Sequence, residues 1–133
     1  DSVADARFVR AIGAAADATY VTRPVLPLDA YPPAARRFAR RFARAYGAPP
    51  APEALYGYEA MNAVLAAIRT AVRETRPDPL DRAAVVRAFF ATRRRGTVLG
   101  SYEIHATGDT SLRRFGAYRI VDGTLRFVRA LDA

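Results

Sequence analysis

The stretch EALYGYEAMNAVLAAIRTAVR, residues 53–73, decides the fold of this chain. Large apolar side chains recur in it every three or four residues, a spacing that places them on one stripe of a helix: Leu55, Tyr58, Met61, Leu65, Ile68 and Val72. A second stripe beside it holds mostly small side chains: Ala60, Val64, Ala67 and Ala71. Polar residues interrupt the apolar surface only at Glu59, Asn62, Arg69, Thr70 and Arg73. We therefore predict a central helix that is covered on more than one side.

The composition around this stretch is that of one globular domain. The chain has 133 residues, of which 51% are hydrophobic and 26% charged, enough to bury a core. No apolar run is long enough to cross a bilayer, and no signal peptide is visible. The chain opens on Asp1 rather than Met, which suggests a processed or truncated piece. Cysteine is absent, so no disulfide or thiolate metal site is possible.

The net charge of +8 comes from 21 basic residues that are all arginine. Such a balance can indicate a nucleic-acid or membrane-surface partner. However, the arginines are spread over every segment and few aromatics accompany them. Abundant Arg and Ala are also typical of a GC-rich genome, so nucleic acid is an unlikely partner.

The first part of the chain predicts a short helix, a strand and a crossing segment. Apolar residues at helical spacing form the helix: Phe8, Val9 and Ile12. Asp5 is its candidate N-cap and Gly13 ends it. Residues 19–22 favour a strand, and the proline-rich residues 23–33 favour an extended crossing.

Residues 33–46 predict a helix that ends at Gly47. Aromatic side chains follow one face: Phe38, Phe42 and Tyr46. Arginines take the outer face: Arg36, Arg37, Arg40, Arg41 and Arg44. We favour a helix whose aromatic row is docked against the protein and whose basic face is solvated. A helix that binds nucleic acid is the alternative.

After a break at residues 76–79, Asp81 is a predicted N-cap, with Leu80 and Val85 as a hydrophobic staple. We expect the next helix to point four side chains inward: Val85, Val86, Phe89 and Phe90. The arginines at 93–95 would lie at its C-terminal end, where cations suit the helix dipole.

Beyond Gly96 the pattern becomes extended. Residues 98–104 alternate, and a turn follows at Gly108 and Asp109. Residues 117–121 and 124–128 flank an Asp-Gly pair at 122–123, a strong hairpin signal.

No catalytic motif is present. Residues 96–100, GTVLG, lack the Lys-Ser/Thr of a phosphate loop. His105 lies near Glu103 and Asp109 in sequence, but a lone histidine is usually structural. Ser2, Ser101 and Ser111 have no local nucleophile motif. We therefore expect no enzyme activity, no metal site and no cofactor.

The motifs taken in order resemble one family. They are FVxxIGxAAD at 8–17, YVTxP at 20–24, the aromatic helix ending in Tyr46-Gly47, Tyr58-Glu59-Ala60, DRxxV at 81–85, Gly100 to Gly108-Asp109, and Asp122-Gly123. This order resembles the C-terminal part of type I periplasmic binding proteins of the branched-chain amino acid branch. The family pattern has Asp where Glu59 stands, and Phe and Asp where Ile104 and His105 stand.

The resemblance implies an α/β fold of two lobes that close over a ligand. Residues 1–22 would be a second-lobe segment, 23–32 a hinge crossing, 33–115 a first-lobe helical segment and 116–133 a second-lobe hairpin. The chain would be about the last third of a receptor. Its apolar helix would then be exposed, and the chain should aggregate, exchange elements as a homodimer, or be held by the missing N-terminal part.

The resemblance also implies a function and a site. The protein would be an extracytoplasmic solute receptor, periplasmic or lipid-anchored, that delivers an amino acid or similar compound to an ABC permease. Asp1 falls where the family places an acidic residue that faces the ligand's ammonium group, with Ser2 beside it. A frayed terminus is the alternative for these two residues.

Two other functions stay open. One keeps the fold but makes it the ligand-sensing domain of a receptor or regulator. The other is a basic helical module that binds nucleic acid through its arginine row, which predicts steeply salt-dependent DNA binding.

Overall fold

A computed structural model describes residues 6–74 and 81–132, which form a mixed α/β structure. The helices are α1 (Ala6–Ala11), α2 (Pro33–Tyr46), α3 (Ala54–Glu74) and α4 (Arg82–Phe90), with 3-10 turns at Gly13–Ala18 and Leu28–Ala30. The strands are β1 (Tyr20–Arg23), β2 (Arg93–Thr97), β3 (Gly100–Glu103), β4 (Arg114–Val121) and β5 (Thr124–Asp132). None of the helices in these ranges combines the length and apolar character needed to cross a membrane.

The chain divides into two compact units. Unit 1 comprises Asp1–Ala30 and Arg113–Ala133, and unit 2 comprises Tyr31–Leu112. The chain therefore leaves the first unit once and returns to it. The predicted N-cap Asp5 and the staple residue Leu80 lie outside the described residues.

Unit 1 is built on an antiparallel sheet with the order β1-β4-β5. The β4–β5 turn is the predicted one: Asp122 and Gly123 have φ values of 48° and 70°, as a type I′ hairpin turn requires. The predicted strand near residues 19–22 is confirmed as β1, which pairs with β4 from Tyr20 opposite Arg119 to Arg23 opposite Gly116.

A small apolar core closes unit 1. Its buried members are Val9, Ala16, Val21 and Ile120, with Ile12 and Leu125 packed against them. On the same sheet the Tyr118 hydroxyl donates a 2.8 Å hydrogen bond to the Val25 carbonyl. Gly116 leaves room for this contact, because a Cβ there would lie 2.5 Å from the Tyr118 ring and 2.7 Å from the Val25 carbonyl oxygen.

In unit 2, α2 begins at Pro33 and ends at Gly47 as predicted, with Gly47 in the left-handed conformation at φ 73°. The aromatic row is only partly docked. Phe38 is buried, whereas Tyr46 at the other end is 72% exposed. Phe38 packs against the Tyr58 ring of α3, with centroids 4.6 Å apart.

The burial of α3 follows neither of the two predicted stripes, since Leu55 of the first is buried and Val64 of the second is exposed. Its buried row advances four residues at a time: Leu55, Glu59, Ala63, Ala67 and Ala71. Most of the larger apolar side chains of α3 after Leu55 are exposed, including Met61 at 58% and Leu65 at 42%. The prediction of cover on more than one side is therefore wrong for this chain. Three of the five buried residues are alanines, while the face that carries Met61 and Leu65 is open.

The helix α4 begins at the predicted N-cap, where the Asp81 carboxylate accepts a 2.8 Å hydrogen bond from the Ala83 amide. Its inward face is only partly the predicted one: Val85 and Phe89 are half-buried, whereas Val86 and Phe90 are exposed and Ala84 is the buried residue. α4 packs against α3, and its one fully buried residue among those described is the small Ala84.

The arginines at 93–95 were predicted to end this helix, but they belong to β2. The helix stops at Phe90, and Arg94 pairs across the hairpin with Tyr102 of β3. The extended stretch 98–104 is likewise interrupted by a turn between Thr97 and Gly100. In the proline-rich crossing, the 3-10 turn Leu28–Ala30 breaks the predicted extended path.

Candidate functional site

The predicted ligand residues Asp1 and Ser2 lie outside the described residues. Their assignment to the ligand therefore stays a prediction. In unit 2, however, the structure brings together polar residues that lie far apart in the sequence.

The sequence neighbours of His105 do not form a site with it. The Glu103 carboxylate pairs with the Arg93 guanidinium, and the His105 amide donates a 2.8 Å hydrogen bond to the Asp109 carbonyl. The first contact joins β2 to β3, and the second holds the loop between His105 and Asp109. Within residues 6–74 and 81–132, no group of three or more His, Asp or Glu side chains is arranged to hold a metal ion.

A buried carboxylate lies at the centre of unit 2. Glu59 is only 3% exposed. Its Oε1 accepts hydrogen bonds from Arg94 Nε at 3.0 Å and from the Tyr102 hydroxyl at 3.1 Å. Burial of a charge is costly unless the charge is paired and hydrogen-bonded, and both conditions are met here.

Secondary structure fixes this geometry. Arg94 and Tyr102 are opposite residues of the β2–β3 hairpin, so their side chains leave the same face. Glu59 lies on the buried row of α3. Burial and, secondly, the negative charge of Glu59 raise the pKa of Tyr102 to about 12. The tyrosine therefore stays a hydrogen-bond donor well into the alkaline range.

Sequence reasoning missed this cluster. It treated Glu59 as a break in an apolar surface and Arg94 as a helix-end cation. The spacing did contain a signal, because Glu59 shares a four-residue period with Leu55 and Ala63. The arrangement stabilises the fold by linking α3 to β2 and β3, and it offers no activated nucleophile.

A polar groove of about 480 Å³ lies beside this cluster. It is lined by Ala34, Arg37, Arg40, Arg41, Arg44, Tyr58, Glu59, Asn62, Arg94, Gly96, Thr97 and Val98. The α2 side chains in it are mainly guanidinium groups. Within the part of the chain that the structure describes, Arg41 alone of these four α2 arginines has a side-chain partner, and its Nη2 lies 3.5 Å from the Tyr58 hydroxyl.

Comparison with solved structures defines the fold class. A leucine-binding protein from Thermotoga maritima is 23% identical and has a TM-score of 0.73; the match covers 99% of this chain and 36% of that one. A solute-binding protein from R. palustris, solved with benzoate, is 22% identical with a TM-score of 0.62, covering 94% and 34%. The chain thus has part of the type I periplasmic-binding-protein fold, and it spans about a third of the length of these structures.

The family follows from the sequence match. The model of the periplasmic binding protein family matches residues 2–124. This chain therefore belongs to the periplasmic binding protein family, and the predicted resemblance is confirmed. No curated protein matches the chain.

Proposed function

We propose that this chain is the C-terminal segment of an extracytoplasmic solute receptor that binds an amino acid or a similar small molecule for ABC import. The observation that carries the proposal is the family match over residues 2–124, together with fold similarity over nearly the whole chain. Such receptors bind by closing two lobes and need no chemistry.

The lobe assignment is part of the proposal. Residues 1–22 and 116–133 would belong to the second lobe, 23–32 to a hinge and 33–115 to the first lobe. The division into unit 1 and unit 2 supports it, because the chain changes unit near Ala30 and again near Arg113.

The open face of α3 supports a larger receptor. Met61 and Leu65 would lose most of their exposed area beneath a sheet of the first lobe, as an apolar patch of this kind requires. We propose that the rest of the receptor covers this face. Exchange with a second copy of this chain in a homodimer is the other arrangement that would cover it.

The ligand would be held in part by Asp1 and Ser2. A carboxylate at position 1 would form a charge-assisted hydrogen bond with an ammonium group, and the Ser2 hydroxyl could accept or donate a further one. The permease partner and the location outside the cytoplasm follow from the same proposal.

The test uses the complete receptor encoded by the reading frame that contains this chain. Its thermal midpoint is measured with leucine, isoleucine, valine and benzoate at rising concentration. We expect at least one to raise the midpoint in proportion to the logarithm of its concentration, because a ligand that binds only the folded state stabilises it. The proposal would be contradicted if no member of a broad panel of amino acids and carboxylates raised the thermal midpoint.

A matched pair of variants tests the ligand residues. Asp1→Asn should weaken binding of an amino acid by on the order of tenfold or more, because it removes a charge-assisted hydrogen bond. Asp17→Asn is the control, since Asp17 is an exposed acid elsewhere in unit 1. Equal affinities in the two variants would remove Asp1 from the site without affecting the receptor assignment.

A further inference from the structure

The groove of unit 2 has an arginine row along its α2 wall. We define this arginine row as Arg37, Arg40, Arg41 and Arg44, which all line the groove. Their positions follow the pattern i, i+3, i+4 and i+7, so they share one face of the helix. All four side chains are exposed.

The row lacks the acidic partners that several other arginines have. Arg87 pairs with Asp81 at 3.4 Å and Arg114 with Asp132 at 3.6 Å. Within residues 6–74 and 81–132, no ion pair involves Arg37, Arg40 or Arg44.

The floor of the groove does not neutralise the row. Among the described residues that line the groove, Glu59 is the only carboxylate, and it is buried against Arg94 and Tyr102. The groove therefore presents uncompensated positive charge. Like charges held close together repel one another, and an anionic partner removes that cost.

The length and exposure of the row select the kind of anion. From Arg37 to Arg44 the helix axis rises by about 10 Å. The row is therefore longer than a single carboxylate or phosphate group. Exposed guanidinium groups suit an apposed surface better than an enclosed small ligand. A second helix with glutamates at i, i+3, i+4 and i+7 carries the complementary spacing.

From this geometry we propose that the arginine row is a docking surface for an acidic polypeptide segment. The segment would lie along α2 and place several carboxylates against the guanidinium forks, which match carboxylates in a bidentate manner. The proposal does not depend on which solute the receptor binds, or on whether it serves transport or sensing.

The experiment uses the complete receptor encoded by the reading frame that contains this chain, and a fluorescent alanine-based helical peptide with glutamates at i, i+3, i+4 and i+7. Binding is measured by fluorescence polarisation at low and at physiological salt. A peptide with glutamine in place of glutamate is the first control. We expect binding of the glutamate peptide that weakens with salt, and no binding of the glutamine peptide.

Two triple variants of equal net charge then locate the surface. Arg37→Gln/Arg40→Gln/Arg44→Gln removes the unpaired row, whereas Arg36→Gln/Arg126→Gln/Arg129→Gln removes three exposed arginines outside the groove lining. Circular dichroism confirms that both variants are folded. The first should lose affinity on the order of tenfold, as expected for three exposed charge pairs, and the second should lose about twofold or less.

Three results would overturn the proposal. They are the absence of peptide binding at low salt, an equal loss of affinity in the two triple variants, and tighter binding of duplex DNA than of the glutamate peptide. The last result would support the nucleic-acid function instead.

Discussion

Unit 1 and unit 2 bury their apolar side chains in different ways. In unit 1 the strands and the N-terminal helical turns close over Ile120, which has no exposed surface. In unit 2, α3 buries a row of alanines while Met61 and Leu65 remain exposed. Similar side chains therefore have different energetic roles in the two units, according to whether a second layer covers them.

This contrast shows which apolar side chains of a partial fold are still covered. In unit 1 the β4–β5 hairpin pairs residues that are near in sequence, and β1 joins it from residues 20–23, so both segments of that unit lie within this chain. A long apolar helix in an α/β fold needs a sheet, and the described residues supply only two small antiparallel sheets. Unit 2 is consequently the part that depends most on further structure.

The largest expected effect tests the contrast directly. Ile120→Ala should lower the free energy of unfolding by about 2–5 kcal/mol, because it leaves a cavity in a closed core. Met61→Ala removes a side chain of similar size from the open face and should cost less than about 1 kcal/mol. Urea denaturation measures both. Equal losses would mean that the open face of α3 is covered in solution.

The buried carboxylate of unit 2 gives the next effect. Glu59→Gln should cost about 1–3 kcal/mol, because Arg94 loses its counter-charge in a partly buried site. Glu74→Gln on the exposed end of the same helix serves as the control. Thermal unfolding of both variants compares the two positions, and similar midpoints would show that the cluster contributes little.

The same cluster predicts a dependence on alkaline pH. The folded-state pKa of Tyr102 is raised from 10.0 to about 12, so the folded state favours the neutral phenol. This stabilisation is fully present below pH 10 and is lost as the pH rises from 10 to about 12. Urea denaturation over this range should show Tyr102→Phe to be less pH-dependent than the unmodified chain. An unchanged slope would contradict the assignment.

We expect a smaller loss of stability from a substitution in the β4–β5 turn of unit 1. Gly123 has a φ of 70°, a conformation that costs an L-residue about 1–2 kcal/mol. Gly123→Ala should reduce stability by about that amount, whereas Thr124→Ala at the start of β5 should cost less. A destabilisation well under 1 kcal/mol for Gly123→Ala would show that the turn adopts another conformation.

The smallest expected change in stability concerns the open face. Leu65→Gln should alter the free energy of unfolding by less than about 1 kcal/mol, because 42% of the residue's surface is exposed. Solubility of the chain should rise, since an apolar patch is interrupted. Light scattering of concentrated samples measures this, with Ala67→Gln on the buried row as the destabilising control.

The sequence by itself determined the local features. Gly47 ended α2, Asp81 capped α4 and Asp122-Gly123 set the β4–β5 turn, because capping and turn chemistry depend on neighbouring residues alone. The order of the motifs also identified the family. These features need no knowledge of what packs against them.

Only the tertiary structure decided which apolar faces are covered. Periodicity showed that α3 is apolar over a wide arc, yet it could not show that Ala63, Ala67 and Ala71 are buried while Met61 and Leu65 are open. The cluster of Glu59, Arg94 and Tyr102 also escaped prediction, since it joins residues from a helix and a hairpin far apart in sequence. Burial and charge pairing are properties of the neighbours that folding brings together.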